Sequence, residues 1–268
     1  MKQTFLVLST LAILAACGGS GTPTTEDPAT RSASNFDADV ILPSLQNTIV
    51  VDYSAATDQF TFAADGTALP GLIRTETQDN GMILGFRDSP NEMIGFVYQS
   101  DDGLASVIGG HGDKLVFRGA TIERFGEAEV PVTGAATFTG DYAGIVATRV
   151  GARDELHFLA NGDATLTADF ADNTVDGRIT NRSLRRENNE LVPPTIADIT
   201  LNATTLDDNI RFSGFATGGG IDGRSTSNGA YIGSINGDAA EALGIVTLEH
   251  EGFGGPSITE WGIFALTD

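Results

Sequence analysis

From Val40 onward the chain alternates short apolar stretches with turn dipeptides, and this spacing constrains the fold more than any other feature. Asp65-Gly66, Asn80-Gly81, Asp102-Gly103, Asn161-Gly162 and Asn228-Gly229 are pairs that accept the left-handed conformations of tight hairpins. Asp176-Gly177 and Asn236-Gly237 are of the same kind, but each also sits in a stretch that reads as a strand, where Gly marks a bulge. Between the turns the residues alternate with period two, as half-buried strands do. Phe138, Gly140, Tyr142, Gly144 and Val146 fall on one face, as do Leu166, Ala168 and Phe170. The same holds for Ile210, Phe212 and Gly214, and for Tyr231, Gly233 and Ile235. Glycine supplies 33 of 268 residues, well above the usual ~7%, which suits a turn-rich sheet. No stretch predicts a helix of ten or more residues. Asp238 to Gly244 predicts one or two helical turns, with Asp238 as N-cap and Gly244 as the stop. The fold class expected is all-β.

The N-terminus has a different grammar. Lys2 is followed by a run from Phe5 to Ala16 interrupted only by Ser9 and Thr10. One positive charge and a short apolar run is the layout of a secretory signal. The run falls short of the ~20 apolar residues that span a bilayer. It ends in Leu14-Ala15-Ala16-Cys17, which resembles the bacterial lipobox. That resemblance implies cleavage after Ala16 and acylation of Cys17, with palmitate among the chains; several chains together hold a protein on a membrane where one does not. Gly18 follows the cysteine, whereas Asp there signals inner-membrane retention, so outer-membrane sorting is expected. Cys17 is the only cysteine, so stability must come from a packed core rather than a disulfide.

Four segments are expected. Residues 1–16 form the signal and 17–39 a flexible tether of small, polar and Pro residues. Residues 40–130 form a first β-rich domain and 134–268 a second, more regular one. The acidic, Pro-broken stretch from Glu127 to Gly134 divides them. Loss of Lys2 with the signal takes the formal charge from −21 to −22. That excludes nucleic acid as a natural partner, since such binding needs a cationic footprint. Acidity of this degree keeps a surface solvated; steering of a basic partner or a cation is the sharper alternative.

The second domain carries the most specific motifs. Phe138-Thr139-Gly140-Asp141-Tyr142-Ala143-Gly144 opens it, and Leu166 to Asn181 follows with an Asp-Phe, a turn and a hydrophobic-x-Gly-x-Ile strand. The end runs from Gly229-Ala230-Tyr231-Ile232-Gly233 through Ala239-Ala240-Glu241-Ala242-Leu243-Gly244 to Trp261-Gly262-Ile263-Phe264-Ala265. In order and spacing these resemble the barrel of the transferrin-binding protein B family. The resemblance covers about half the chain. It implies an eight-stranded antiparallel β-barrel preceded by a smaller β-rich, handle-like domain. A full receptor has two such lobes; this chain has room for one.

No catalytic constellation stands out. There is no Gly-x-Ser-x-Gly elbow, His-Glu-x-x-His or P-loop, and no cysteine nucleophile beyond the lipobox. Gly252-Phe253-Gly254-Gly255 precedes no helix. Asp172-x-Thr174-x-Asp176-Gly177 imitates the start of a calcium loop, but its twelfth position is Ser183 rather than Glu, and a hairpin turn explains it. His111, His157 and His250 do not share metal-ligand spacing. His250 lies between Glu249 and Glu251, where a solvated loop is expected rather than a cation site. The resemblance adds a surface haem ligand as an alternative for any of the three.

These readings converge on a non-enzymatic binding lipoprotein of the outer membrane, lipidated at Cys17 and exposed at the cell surface. It would need no cofactor. It would capture a protein or a haem- or iron-related ligand for an outer-membrane transporter. The alternative is an envelope structural or adhesin-type lipoprotein with no nutrient ligand. Binding falls to loops held by a rigid barrel, and the Gly/Ser/Asn-rich stretch with Gly218, Asp222, Arg224, Ser225 and Asn228 is the candidate loop. The last strand, Trp261 to Leu266, is expected to pair with the first, Phe138 to Val146, with Phe264 inside and Trp261 at the rim or against the first domain.

Overall fold

The computed structural model describes residues 47–54, 59–64, 67–68, 72–88, 93–112, 115–125, 133–150, 153–186, 190–192, 196–221, 225–250 and 258–268. The signal, the tether and Cys17, together with residues 126–132 of the expected domain boundary, lie outside them.

The chain is all-β. A first sheet contains β1 (Asn47–Ser54), β2 (Gln59–Ala64), β3 (Thr67–Ala68), β4 (Leu72–Arg74), β5 (Leu84–Asp88), β6 (Met93–Gln99), β7 (Gly103–Gly112) and β8 (Leu115–Arg124). Its strands are antiparallel neighbours except for a short parallel contact of β1 with β8. Because β1 also pairs with β2, the ladder β1-β8-β7-β6-β5-β4-β2 returns to its start. Phe62, Leu72, Phe86, Met93, Val97, Leu104 and Ile108 fill its core.

The second sheet contains β9 (Ala135–Val150), β10 (Arg153–Asp169), β11 (Thr174–Arg185), β12 (Leu191–Val192), β13 (Ile199–Thr205), β14 (Arg211–Gly218), β15 (Thr226–Asn236), β16 (Glu241–His250) and β17 (Ile258–Thr267). β12 pairs only at the end of β11. The other eight form a closed antiparallel barrel, because β17 pairs with β9 from Ile258↔Thr148 to Thr267↔Thr139 while β10 pairs with both β9 and β11. Closure removes the free edges of the sheet.

Alternation sorts the side chains of the closing strands. Phe138, Tyr142, Val146, Phe264 and Leu266 fill the barrel. Trp261, Ile263, Ala265, Ala143, Ile145 and Ala147 face outward against Ile94, Phe96, Ala105, Val107, Ala120 and Ile122 of the first sheet. The Trp261 indole N–H donates to the Ile108 carbonyl at 3.2 Å, and the Arg118 guanidinium lies 5.6 Å from the indole centroid. Both placements match those expected for Phe264 and Trp261. On the wall away from this junction Asp163, Asp176, Arg178 and Thr200 are exposed. An apolar interior with a polar outer wall inverts the order of a membrane-spanning barrel.

Three turn expectations are corrected. Asn161-Gly162 is no hairpin: it lies within β10, opposite a bulge in β11. Gly162 is there for space, since a Cβ would approach the Thr180 carbonyl to 2.9 Å and Arg182 Cγ to 3.0 Å. Asn228-Gly229 likewise lies within β15, beside an irregularity between Thr226 and Asn228. The expected helical turns at Asp238 reduce to the tight turn Gly237–Ala240. Ala239 there is left-handed (φ 61°), and the N-cap position falls to Asn236, which makes no side-chain cap bond. β16 starts at once, so Gly244 is a mid-strand residue paired with Gly233. Asn80-Gly81 does make a turn, bracketed by an Asn80↔Ile83 bridge with Gly81 at φ 55°. Its Asn80 amide donates to the Tyr142 carbonyl at 2.8 Å, which fixes the turn to the barrel. Asp176-Gly177 coincides with a bulge in the β11–β13 ladder. The Asp172 stretch is the β10–β11 hairpin turn, with Asp169 Oδ1 accepting from the amides of Ala171 and Asp172.

Candidate functional site

The two ends of the barrel differ. At one end the connections are the tight turns after β10, β13 and β15. They are cross-tied by backbone bonds such as Leu206 N–H to Asn173 O and Asp268 N–H to Ala240 O. At the other end emerge the connections β9–β10, β11–β13, β14–β15 and β16–β17, and the candidate loop is one of these.

Beneath that second end the apolar interior contains a polar cluster. Glu260 is third in β17 and shares the inward face of Phe264. Arg182 comes from β11, Tyr142 from β9 and His250 from the end of β16. The side chains of Arg182, His250 and Glu260 are fully buried, and so is Tyr142. Glu260 Oε1 accepts from the Tyr142 hydroxyl at 2.8 Å and from Arg182 Nη2. The Arg182 guanidinium carbon lies 6.0 Å from the Tyr142 ring centroid. Arg182 Nη1 donates to two loop carbonyls, Ala197 O at 2.6 Å and Gly219 O at 3.2 Å. One buried cation thus holds two connections of that end from below.

Burial is the largest influence and would raise the Glu260 pKa, but the neighbouring Arg182 and His250 together outweigh it, and the carboxyl is held down at about 2. Burial, and then the Glu260 charge, push the Tyr142 phenol well above its ordinary value, so it remains a donor.

A local irregularity puts Arg182 inside. Along β11, Val175 and Ile179 point inward, and strict alternation would send Arg182 out. Asn181 adopts φ 51° at the bulge, where β11 advances from Thr180 to Ser183 while β10 advances only from Asp163 to Asn161. Its side-chain amide donates to Asp163 Oδ2 at 2.6 Å. The extra residue flips the parity, so Arg182 and Leu184 are buried.

Of the sequence-predicted loop residues, Gly218 ends β14 with φ 82° and Gly219 follows with φ 70°. Successive left-handed residues turn the chain sharply. The Gly218 carbonyl accepts from the Thr226 hydroxyl, and the Gly219 amide donates to Asp198 O at 2.7 Å. Ser225 is exposed. Asn228 pairs through its backbone with Glu249. Asp222 and Arg224, and the side chain of Asn228, lie outside the described residues, as do the side chains of His111 and His157. The expectation for His250 is corrected: it is a buried strand residue (1% exposed), because β16 continues through it and alternation turns it inward while Glu249 turns out. Sequence reading missed the cluster. Its one legible signal was Glu260, an acid on the inward face of an otherwise apolar strand. Among the described residues, no group of three or more His, Cys, Asp or Glu is placed to hold a metal ion.

A scan against protein-family models matched none, and a comparison with curated protein sequences also matched none. Solved structures do match. Two are engineered variants of transferrin-binding protein B, a vaccine antigen, from Haemophilus parasuis Hp5. To the first the chain is similar with 13% identity and a TM-score of 0.41, over 81% of this chain and 42% of that one. For the second the values are 10% identity and 0.39, over 82% and 54%. This chain spans about half the length of those structures. They come from the family that the sequence motifs resemble.

Proposed function

We propose that this chain is a non-enzymatic binding lipoprotein. It is anchored by lipid on Cys17 to the outer membrane, faces the cell surface, and captures a protein or iron-related ligand for delivery to an outer-membrane transporter. The observation that carries the reading is the asymmetry of the barrel. One end has only short turns, and the other carries the three longer connections, β11–β13, β14–β15 and β16–β17, two of them fixed from inside by Arg182. Loops on a rigid scaffold are where recognition resides. The lipobox-like Leu14-Ala15-Ala16-Cys17 and the polar tether that follows support the anchor.

Affinity capture on immobilised protein tests the reading, with a variant whose residues 219–227 are replaced by a short Gly-Ser turn as the control. A ligand retained by the wild type and lost from the variant is expected. Equal retention by both, or capture of nothing from envelope and host fractions, overturns it.

A further inference from the structure

Where the first sheet covers the barrel, the wall of the barrel is not uniformly apolar. Ser234 and Asn236 of β15 share the outward face of Ile232, and Glu241 of β16 shares that of Leu243. All three are buried (0%, 1% and 5% exposed). They satisfy one another in a chain. The Ser234 hydroxyl donates to Asn236 Oδ1 at 2.8 Å, and the Asn236 amide donates to Glu241 Oε1 at 3.0 Å. Across the junction, the Tyr98 hydroxyl of β6 donates to Glu241 Oε2 at 2.7 Å. Burial, and then the bond to Glu241, push the Tyr98 phenol above its ordinary value, so it remains a donor. Among the described residues no Lys or Arg pairs with Glu241.

The backbones meet closely at this point. A Cβ on Gly103 would come within 2.4 Å of Asn236 Nδ2, and one on Gly237 within 2.3 Å of Asp102 Oδ2. The β6–β7 turn therefore sits directly on the β15–β16 turn. Ser100 Oγ accepts from the amides of Asp102 and Gly103, which holds the upper turn in shape.

Two further ties cross the junction on other strands. On β9, Asp141 Oδ2 accepts from the Met82 amide at 2.9 Å, beside the bond from Asn80 to the Tyr142 carbonyl. On β17, the Trp261 indole donates to Ile108 O. Glu241 is level with Thr267 and Asp141 with Ala265, both near the end of β17, whereas Trp261 stands near its start. The three anchor points thus form a triangle. Apolar burial is non-directional and would let the covering sheet slide or rotate. Hydrogen bonds hold a distance and an angle, and three that are not in line fix a body completely.

We propose that the Tyr98–Glu241–Asn236–Ser234 chain is a register lock: it sets the single angle at which the first sheet sits on the barrel, so that the two move as one body, and adds little to how tightly they adhere. Buried hydrogen bonds replace bonds to water, and exchanging both partners for apolar groups of the same shape is nearly neutral. The chain therefore contributes orientation rather than stability. The lock goes beyond ligand capture and holds whatever the loops bind.

The test is NMR on the purified, 2H,15N-labelled full-length chain. Residual dipolar couplings from β5–β8 and from the barrel strands should fit one alignment tensor in the wild type. Trp261 is the only tryptophan, and its indole N–H reports the junction directly. The Tyr98→Phe/Asn236→Leu/Glu241→Leu variant replaces the chain by apolar side chains of similar volume. Its urea midpoint should equal that of the wild type. Its couplings should require two tensors, and its indole N–H should exchange about tenfold faster, the scale of one lost hydrogen bond. Two tensors in the wild type overturn the proposal. So does a variant that keeps one tensor or the wild-type indole exchange. A folded variant with a lowered midpoint also overturns it, because the chain would then be a source of adhesion. If the triple variant does not fold, Tyr98→Phe, which removes one hydroxyl, decides by the same tensor and exchange criteria.

Discussion

Gly144 and Gly262 face each other across the ladder that closes the barrel, and the phenol of Tyr142 lies against both. A Cβ built on either glycine would come within 2.6 Å of the Tyr142 hydroxyl oxygen. The missing side chains therefore make the space in which that hydroxyl reaches Glu260.

Gly144→Ala should force the Tyr142 ring to move and break its bond to Glu260. Overpacking of this kind typically costs about 1–3 kcal/mol. Urea titration followed by Trp261 fluorescence should give a lower midpoint at unchanged slope. Restoration of the midpoint in the Gly144→Ala/Tyr142→Phe double variant would identify the collision as the cause. A Gly144→Ala midpoint equal to the wild type would contradict it.

Arg182→Ala should be severe, because removal of one partner leaves a buried carboxylate unpaired; such losses run to about 3–5 kcal/mol. Arg182→Met combined with Glu260→Leu should recover most of that, since an apolar pair of similar volume needs no compensation. Chemical denaturation of the single and double variants measures the difference. A double variant as unstable as the single one would place the stabilising role of Arg182 in its loop carbonyl bonds.

The Glu260 carboxyl gives the acid limit of stability a definite sign. Its folded pKa of about 2 lies below the ordinary glutamate value of about 4.3. The unfolded chain therefore binds the proton more readily, and the ion-pair contribution is complete above about pH 5 and is lost as pH falls toward 2. Thermal midpoints of the wild type should fall across that window more steeply than those of a Glu260→Leu/Arg182→Met variant. Parallel curves would remove Glu260 as the source.

Phe264→Ala should cost about 3–5 kcal/mol, the usual result of truncating a buried Phe. Trp261→Phe should cost about 1 kcal/mol for the lost indole bond to Ile108, on top of any packing loss. Deletion of residues 260–268 should prevent folding, because it opens the β9–β17 seam. Circular dichroism and the denaturation midpoint report these, and a truncated form that kept the full-length midpoint would contradict the closure.

Cys17→Ala should abolish incorporation of labelled palmitate and release the protein from membranes. In intact cells, added protease should remove the wild type. Palmitate incorporation that survives the substitution would refute the anchor, and protection until permeabilisation would move the protein to the periplasmic side.

Period-two alternation made the inward and outward faces of the closing strands legible because those strands obey it strictly. Phe138, Tyr142 and Val146 turn inward on β9, and Phe264 and Leu266 do so on β17, whereas the pairing of first and last strands followed from the barrel that the family resemblance implied. The polar cluster escaped for two physical reasons. Arg182 owes its inward direction to the single left-handed residue Asn181, and a one-residue bulge reverses every later side chain. His250 escaped because its acidic neighbours suggested water, whereas in a strand adjacent residues point to opposite faces. Asn161-Gly162 was misread because the same dipeptide suits a hairpin turn and a place where a facing backbone crowds in. The loop above the cluster was legible only as composition, since small polar residues specify turns but not what they turn toward.

The pairing of Thr139 with Thr267 also governs when this protein can fold. β17 follows every other barrel strand in the chain, so the sheet has two raw edges until the last strand arrives. Joining elements so distant in sequence carries the full loop-closure entropy before any reward, which makes such folds slow. A barrel that cannot seal before residue 267 has emerged stays open until that strand is made.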